Sequence, residues 1–285
     1  MTEPIRIETS PGFVFDALVA GPAHGPLVLL LHGFAESFHT WRAQLAALAA
    51  AGYRAVAPSQ RGYSPGARPD PVDASNYEFD LLVGDAMKLA DACGATTQRF
   101  HLVGHDWGGS LAWAIADRHA ERLASLTVLS RPHPNAFNRA LAMPDGDQAR
   151  RSAHHKWLLE PDAVSRLLTN DVRWLRDRHR ANRVPPEATE RHIAVLGNRP
   201  AMTAAVAWYR ARTAIRNPLG RIKVPTLYIW GDADDTVGRA AAETTGDFVS
   251  PPYRFEVLPD GGHFTAEQFP ERVSELVLEH LKSHP

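Results

Sequence analysis

Apolar and polar positions along this chain switch repeatedly between strand-like runs and helix-like stretches. Phe13–Ala20 reads as a strand. Leu27–Leu31 is a short continuous apolar run ending at His32-Gly33, as a buried strand does. The alanine- and leucine-rich segment Trp41–Ala51 predicts a helix stopped by Gly52, and Tyr53–Ala57 the next strand. Pro58–Asp73 is rich in proline, glycine and serine and predicts a loop, and Tyr77–Cys93 predicts a helix followed by Gly94. Phe100–Val103 then reads as strand, Trp107–Arg118 as helix and Leu123–Ser130 as strand. Such alternation implies parallel strands covered by helices on both faces. From Arg131 to Arg221 the pattern is helical without a convincing strand. It resumes at Thr226–Trp230 and Tyr253–Leu258 and closes with a helix over Ala266–Leu281. The reading is therefore α/β: a core from 1–130 and 222–285, with a helical cap, 131–221, inserted between two strands. A separate helical domain is the alternative, and the return of the strand pattern favours insertion.

The 285 residues suffice for one large core, or a core with a lid. A net charge of -1 gives no bulk attraction to nucleic acid or an anionic membrane, and the basic residues of 173–191 alternate with acidic ones as on a solvated helix face. Cys93 is the only cysteine, so no intrachain disulfide forms and nothing points to an oxidising compartment. Met1–Ser10 lacks the layout of a signal peptide, and no apolar run approaches the roughly 20 residues that span a bilayer. The expectation is a cytoplasmic, unanchored protein, either monomer or homodimer.

The central motif is Gly104-His105-Asp106-Trp107-Gly108-Gly109, between the strand Phe100–Val103 and a helix. It has the form of the G-x-S-x-G nucleophile elbow with aspartate in the serine position. The sharp turn needs small residues two before and two after the nucleophile, which Gly104 and Gly108 supply. The helix starting there favours an ionised carboxylate through its dipole. A carboxylate is a poor acyl-transfer nucleophile but displaces a leaving group at saturated carbon, leaving an alkyl ester on the enzyme. This points to epoxides or alkyl halides. A plain helix N-cap is the structural alternative for Asp106.

Hydrolysis of that ester needs a base, and His263 follows the last predicted strand and a Gly-Gly turn. An orienting carboxylate is sought in Trp230-Gly231-Asp232-Ala233-Asp234-Asp235, which offers three aspartates after a strand. The oxyanion needs backbone N–H donors. Trp107, directly after the nucleophile, and Phe34, just past an early strand, are the candidates. No metal-ligand spacing, phosphate loop or dinucleotide fingerprint occurs, so no metal or organic cofactor is expected.

Across nearly the whole chain these segments resemble the epoxide hydrolases of the α/β-hydrolase superfamily. The resemblance is carried by H-G-F-A-E-S from His32 to Ser37, Trp41-Arg42, Gly52 to Pro58, Arg61-Gly62-Tyr63, the elbow, Trp208-Tyr209-Arg210 and Gly262-His263. It implies Asp234 as the orienting acid, with Asp232 and Asp235 as turn or cap residues, and Tyr209 as the cap tyrosine that donates a hydrogen bond to the epoxide oxygen. A second cap tyrosine of the family falls on His154, with His155 as rival because the register is open. Trp157, Trp208 and the Trp107 ring are candidates to line an apolar pocket, or simply to pack.

Two departures stand out. The family usually has proline after H-G-F, often with a cis bond, where this chain has Ala35. A cis bond before alanine would cost roughly 2.5–4 kcal/mol, so the loop is expected to take another conformation. Ser59 replaces a common aspartate. The implied partners are a small epoxide and water. A haloalkane dehalogenase would share the nucleophile and base, but Phe34 stands where a halide-binding asparagine is common. A non-catalytic small-ligand-binding protein on the same fold is the alternative of another class.

Overall fold

The computed structural model describes residues 2–211 and 218–285. Positions 212–217 of the expected cap lie outside the described residues. Eight strands form one sheet: β1 Glu3–Ser10, β2 Phe13–Ala20, β3 Leu27–Leu31, β4 Arg54–Pro58, β5 Phe100–His105, β6 Leu123–Leu129, β7 Thr226–Gly231 and β8 Tyr253–Leu258. Their order is β1-β2-β4-β3-β5-β6-β7-β8. The β1–β2 and β2–β4 pairs are antiparallel and the remaining neighbours are parallel. β3, β5, β6 and β7 are buried along their whole length, which explains their near-continuous apolar sequences.

The helices are α1 Arg42–Ala50, α2 Phe79–Ala90, α3 Trp107–Arg118, α4 Pro134–Leu141, α5 Gln148–Arg151, α6 His154–Trp157, α7 Ala163–Ala181, α8 Pro186–Leu196, α9 Arg199–Arg210, α10 Arg239–Glu243, α11 Thr265–Gln268 and α12 Pro270–Lys282. Leu45 and Leu48 of α1 and Val273, Leu276 and Val277 of α12 build the apolar layer on one sheet face with Val28, Leu30, Val103 and Ile229. Leu82 and Ala86 of α2 and Leu111 and Ile115 of α3 cover the other. α4 to α9 all fall between β6 and β7. α7 is kinked at Thr169–Val172, where Asn170, Asp171 and Val172 have positive φ.

Most sequence-read elements recur, with differences at their ends. β1 was not expected. α1 closes at Gly52, with Tyr53 N–H donating to Leu48 O and Gly52 N–H to Ala49 O, the pair of bonds that ends a helix at a glycine. α2 is shorter than Tyr77–Cys93 because Glu78 is non-helical and Asp91–Ala95 rewinds with wider spacing. The single closing helix expected over Ala266–Leu281 is two, because Phe269, preceding Pro270, is forced out of the helical region (φ -130°, ψ 58°).

Candidate active site

Asp106 sits between β5 and α3 with φ 49° and ψ -114°, a conformation that costs a non-glycine residue about 1–3 kcal/mol. Close packing enforces it. A Cβ on Gly104 would lie 2.4 Å from Gly108 O, and one on Gly108 would lie 2.1 Å from Leu31 O. The elbow therefore presses against β3, and only glycine fits at positions 104 and 108 on either side of Asp106. The carboxylate is 9% exposed. Its Oδ1 accepts a hydrogen bond from Phe34 N–H at 2.9 Å. The Trp107 amide follows it directly and opens α3.

His263 Nε2 stands 3.7 Å from Asp106 Oδ2, and its Nδ1 lies 3.0 Å from Asp234 Oδ2. Asp234 is fully buried and is itself fixed by Thr236 and Val237 N–H groups at 2.7 and 3.0 Å. Asp232 accepts from Asp260 N–H at 2.7 Å, and Asp235 pairs with Arg178, so both serve the loops rather than the histidine. Burial alone would raise the Asp106 carboxyl. The His263 ring, then the charges of His105 and Arg131, override it and hold the group well below the usual carboxylate range. Burial opposes protonation of His263, but Asp234 and Asp106 outweigh it and lift the imidazole to about 10. The resting pair is thus a carboxylate facing an imidazolium.

A second buried ion pair, missed in the sequence, braces both sides of Asp106. His105 Nδ1 lies 2.6 Å from Glu36 Oε1 and its Nε2 lies 2.9 Å from His263 O. Both partners are acceptors, so both ring nitrogens carry protons and His105 is a cation. Its shift is upward, because the Glu36 charge outweighs burial. The Glu36 carboxyl is held down to about 2, with the His105 charge overcoming desolvation. Glu36 Oε1 also accepts from Gly33 N–H at 2.5 Å. One carboxylate thereby shapes the Phe34 loop while its partner holds the His263 loop. A carboxylate lodged in a strand-end loop as apolar as His32–Ser37 was the available signal.

The helices between β6 and β7 supply further clamps. Ala35 takes φ 66°. Among the described residues the cis bond is Pro251–Pro252, so the Phe34–Ala35 peptide is trans, and the loop does adopt another conformation than a cis turn. Ala35 O accepts from His179 Nε2 at 2.7 Å, and Ser37 N–H donates to His192 Nδ1 at 2.9 Å. Burial pushes His179 down to about 3, so it is neutral. Asn182, at the end of α7, accepts from His263 N–H at 2.7 Å. No local pattern announced these three residues. Ser59 is buried and uses its backbone, with N–H donating to Asp16 O at 2.7 Å. Nothing in the structure accounts for serine rather than aspartate there.

Tyr209 lies in the last turn of α9, a helix capped by Asn198 and anchored by the Trp208 indole N–H, which donates to Arg61 O at 3.1 Å. The Tyr209 ring stands edge-on to Phe34 and Trp107, with centroids 5.2 and 5.1 Å away. Trp208 packs on Trp107 at 5.6 Å. His154 directs Nδ1 to Arg151 O at 3.1 Å, and burial, reinforced by the Arg178 charge, lowers it to about 4. Its neutral ring donates to Arg151, leaving Nε2 as an acceptor. The ring beside Tyr209 is that of His155, at 5.6 Å. Trp157 lies further out. With Arg166 and Trp174 it lines an open groove of about 420 Å³, and Trp174, unremarked in the sequence, packs 6.1 Å from Phe34. Among the described residues no group of three His, Cys, Asp or Glu is arranged to hold a metal ion, and no helix is long and apolar enough to cross a membrane.

This geometry has known counterparts. Residues 26–270 match the family model described as alpha/beta hydrolase fold. The chain is similar to Epoxide hydrolase 3 of Xenopus tropicalis, with 30% identity over 98% of this chain and 77% of the relative. It is similar to Epoxide hydrolase A of Mycobacterium tuberculosis, with 31% identity over 97% of this chain and 96% of the relative. Among solved structures, one described as a novel epoxide hydrolase of the alpha/beta hydrolase superfamily from metagenomes of hot environments superposes with a TM-score of 0.86, 28% identity and 99% coverage of both chains.

Proposed function

This chain belongs to the α/β-hydrolase fold family and, within it, to the epoxide hydrolases, and we propose that it opens small epoxides to vicinal diols through an ester on Asp106. The observation that carries the mechanism is the Asp106 carboxylate itself. It is ionised, raised on a strained elbow, and set between the Phe34 N–H and the His263–Asp234 pair, with the Tyr209 ring packed on Phe34. The helices α4–α9, inserted between β6 and β7, act as the cap that closes over it.

In the first step an Asp106 oxygen attacks an epoxide carbon, the C–O bond breaks, and the ring oxygen takes a proton from Tyr209. The resulting phenolate recovers its proton from the His263 imidazolium. His155, whose ring lies against Tyr209, is better placed than His154 as the second group at the ring oxygen. Esterification removes the Asp106 charge. That charge is one of the forces raising the His263 pKa, so the imidazole becomes a competent base only once there is an ester to hydrolyse. Neutral His263, oriented by Asp234, then takes a proton from water, which attacks the Asp106 carbonyl. The Phe34 and Trp107 N–H groups hold the oxyanion. Collapse expels the diol with the proton of the new carboxyl group, and the carboxylate–imidazolium pair is restored.

The test is the His263→Asn variant mixed with excess epoxide. Intact mass should show the protein heavier by one epoxide, with the adduct mapping to Asp106. Turnover by this variant at the wild-type rate, or an adduct on another residue, would overturn the assignment.

A further inference from the structure

Among the described residues one buried charge near Asp106 has no ion-pair partner. Arg131 follows β6 by two residues. Ser130, with φ 49° and its N–H bonded to Ile229 O, turns the chain there. Arg131 O accepts from the Trp113 indole at 2.9 Å. The side chain runs under the first turn of α3, so close that a Cβ on Gly109 would lie 2.8 Å from Arg131 Cβ. Its guanidinium lies over the Phe137 ring, 4.7 Å from the centroid, and the residue is 6% exposed.

Among the described residues no carboxylate lies within ion-pair distance of Arg131, and its Nε is buried without a hydrogen-bond partner. The contrast with Arg61 is direct. That part-buried guanidinium meets both oxygens of Asp85 at 2.6 and 2.8 Å. Two further buried polar atoms nearby, Ser130 Oγ and Tyr228 OH, also have no partner. Burying an unpaired cation is strongly unfavourable, and an aromatic face returns only part of the loss. A site needing only packing would carry an apolar side chain here. Burial lowers the Arg131 pKa, and the nearby Asp106 charge opposes that, which places the guanidinium within electrostatic reach of Asp106. Asp106 is not its ion-pair partner, because the Asp106 oxygens face the Phe34 N–H and His263 instead.

We propose that Arg131 is a subsite for an anionic group on the substrate, so that this chain prefers epoxides carrying a carboxylate a few bonds from the ring. The inference rests on the epoxide reading above. The carboxylate would supply the counter-charge that the protein withholds, and the Phe137 side would accept the connecting apolar chain.

The experiment compares ω-epoxy carboxylates of increasing chain length with their primary amides, which share shape but not charge. Wild-type kcat/KM should favour the acid over the amide at the best length by about ten- to a hundredfold, the worth of a charge-assisted hydrogen bond. In Arg131→Gln that ratio should collapse through a higher KM for the acid, and Arg131→Lys should keep part of it. The wild-type ratio stands alone if a variant does not fold. Turnover of amides with no preference for acids, or an Arg131→Gln variant that weakens both series equally, overturns the subsite and leaves the epoxide reading intact. Turnover of neither series overturns both.

Discussion

Replacing His179 by phenylalanine should slow hydrolysis of the Asp106 ester more than its formation. The imidazole Nε2–H is the donor that holds Ala35 O, at 2.7 Å, and Ala35 is 1% exposed in a left-handed conformation. Phenylalanine fills the same volume but leaves a buried carbonyl unsatisfied, a cost of about 1–3 kcal/mol. The left-handed alanine adds about 1–2 kcal/mol of strain that the lost bond no longer offsets. The loop relieves both by relaxing, and the group displaced is the neighbouring Phe34 N–H. Complete loss of one oxyanion donor costs roughly a hundred- to a thousandfold in rate. Glu36 and His192 still hold the loop at Gly33 and Ser37, so the expected fall is smaller, about ten- to a hundredfold in the hydrolytic step. Single-turnover mixing with intact-mass detection reads the two steps separately. The ester should form at a near-normal rate and decay slowly, and the steady-state protein should be largely esterified. His179→Gln, whose amide nitrogen reaches the same carbonyl, should restore the decay rate. If the phenylalanine variant melts earlier yet hydrolyses its ester at the wild-type rate, His179 is a packing residue and the reasoning fails.

Acid should destabilise the fold through its neutral histidines. Burial lowers His32, His101, His133 and His280 to about 4 and His179 to about 3, below the ordinary 6.5. Their contribution is present above 6.5 and is lost as pH falls from there toward 4, at about 1.4 kcal/mol per pH unit for each group. His263, raised to about 10, has the opposite sign: its contribution is present below 6.5 and lost as pH rises toward 10. The melting temperature should therefore peak near neutrality, and a flat profile down to about pH 4.5 would contradict these shifts. Gly33→Ala should lower turnover on the order of a hundredfold while keeping the fold, because its Cβ would lie 2.5 Å from Asp106 Cβ and 2.7 Å from Oδ1. Displacement of the nucleophile by about 1 Å costs on the order of a hundredfold, so kcat/KM within threefold of wild type, with an unchanged circular dichroism spectrum, would refute the close approach.

What could be read in the sequence was what local chemistry determines. β2, β3, α3 and β8 fall at the residues expected: β3 is buried throughout, the glycine-flanked elbow sets the start of α3, and β2 and β8, only partly buried, are bounded by proline- and glycine-bearing turns. β1 escaped because it is an edge strand with one fully buried apolar residue, Ile7, and its identity comes from pairing Glu3–Ser10 with β2. Asp106 and His263 stood out because each follows a strand end with small residues around it, whereas Trp230–Asp235 left three aspartates open and only the family resemblance singled out Asp234. Glu36 and His105 lay inside motifs already noticed, yet their pairing is a tertiary fact. Asn182 and His179 were not legible at all. Asn182 meets His263 across 81 residues and His179 meets Ala35 across 144, and neither position carries a periodic or turn signal.

Three of the non-glycine residues with positive φ belong to one design. Ala35, Asp106 and Ser130 have φ of 66°, 49° and 49°, on the loops that leave β3, β5 and β6. Those three strands are adjacent in the sheet, so the strained turns converge at its carboxyl edge. Each turn aims a different group. Ala35 brings the Phe34 N–H onto Asp106 Oδ1, Asp106 lifts its own carboxylate, and Ser130 sends Arg131 beneath α3. Strain of about 1–3 kcal/mol at each persists only where surrounding contacts over-determine the backbone. Those contacts are long-range: His179 on Ala35 O, Leu129 O on the Asp106 N–H, and Ile229 O on the Ser130 N–H. The sheet supplies two of these restraints and the inserted helices supply the third. Helices that merely covered Asp106 would not need to grip the Phe34 loop, and these do so at Ala35, through His179.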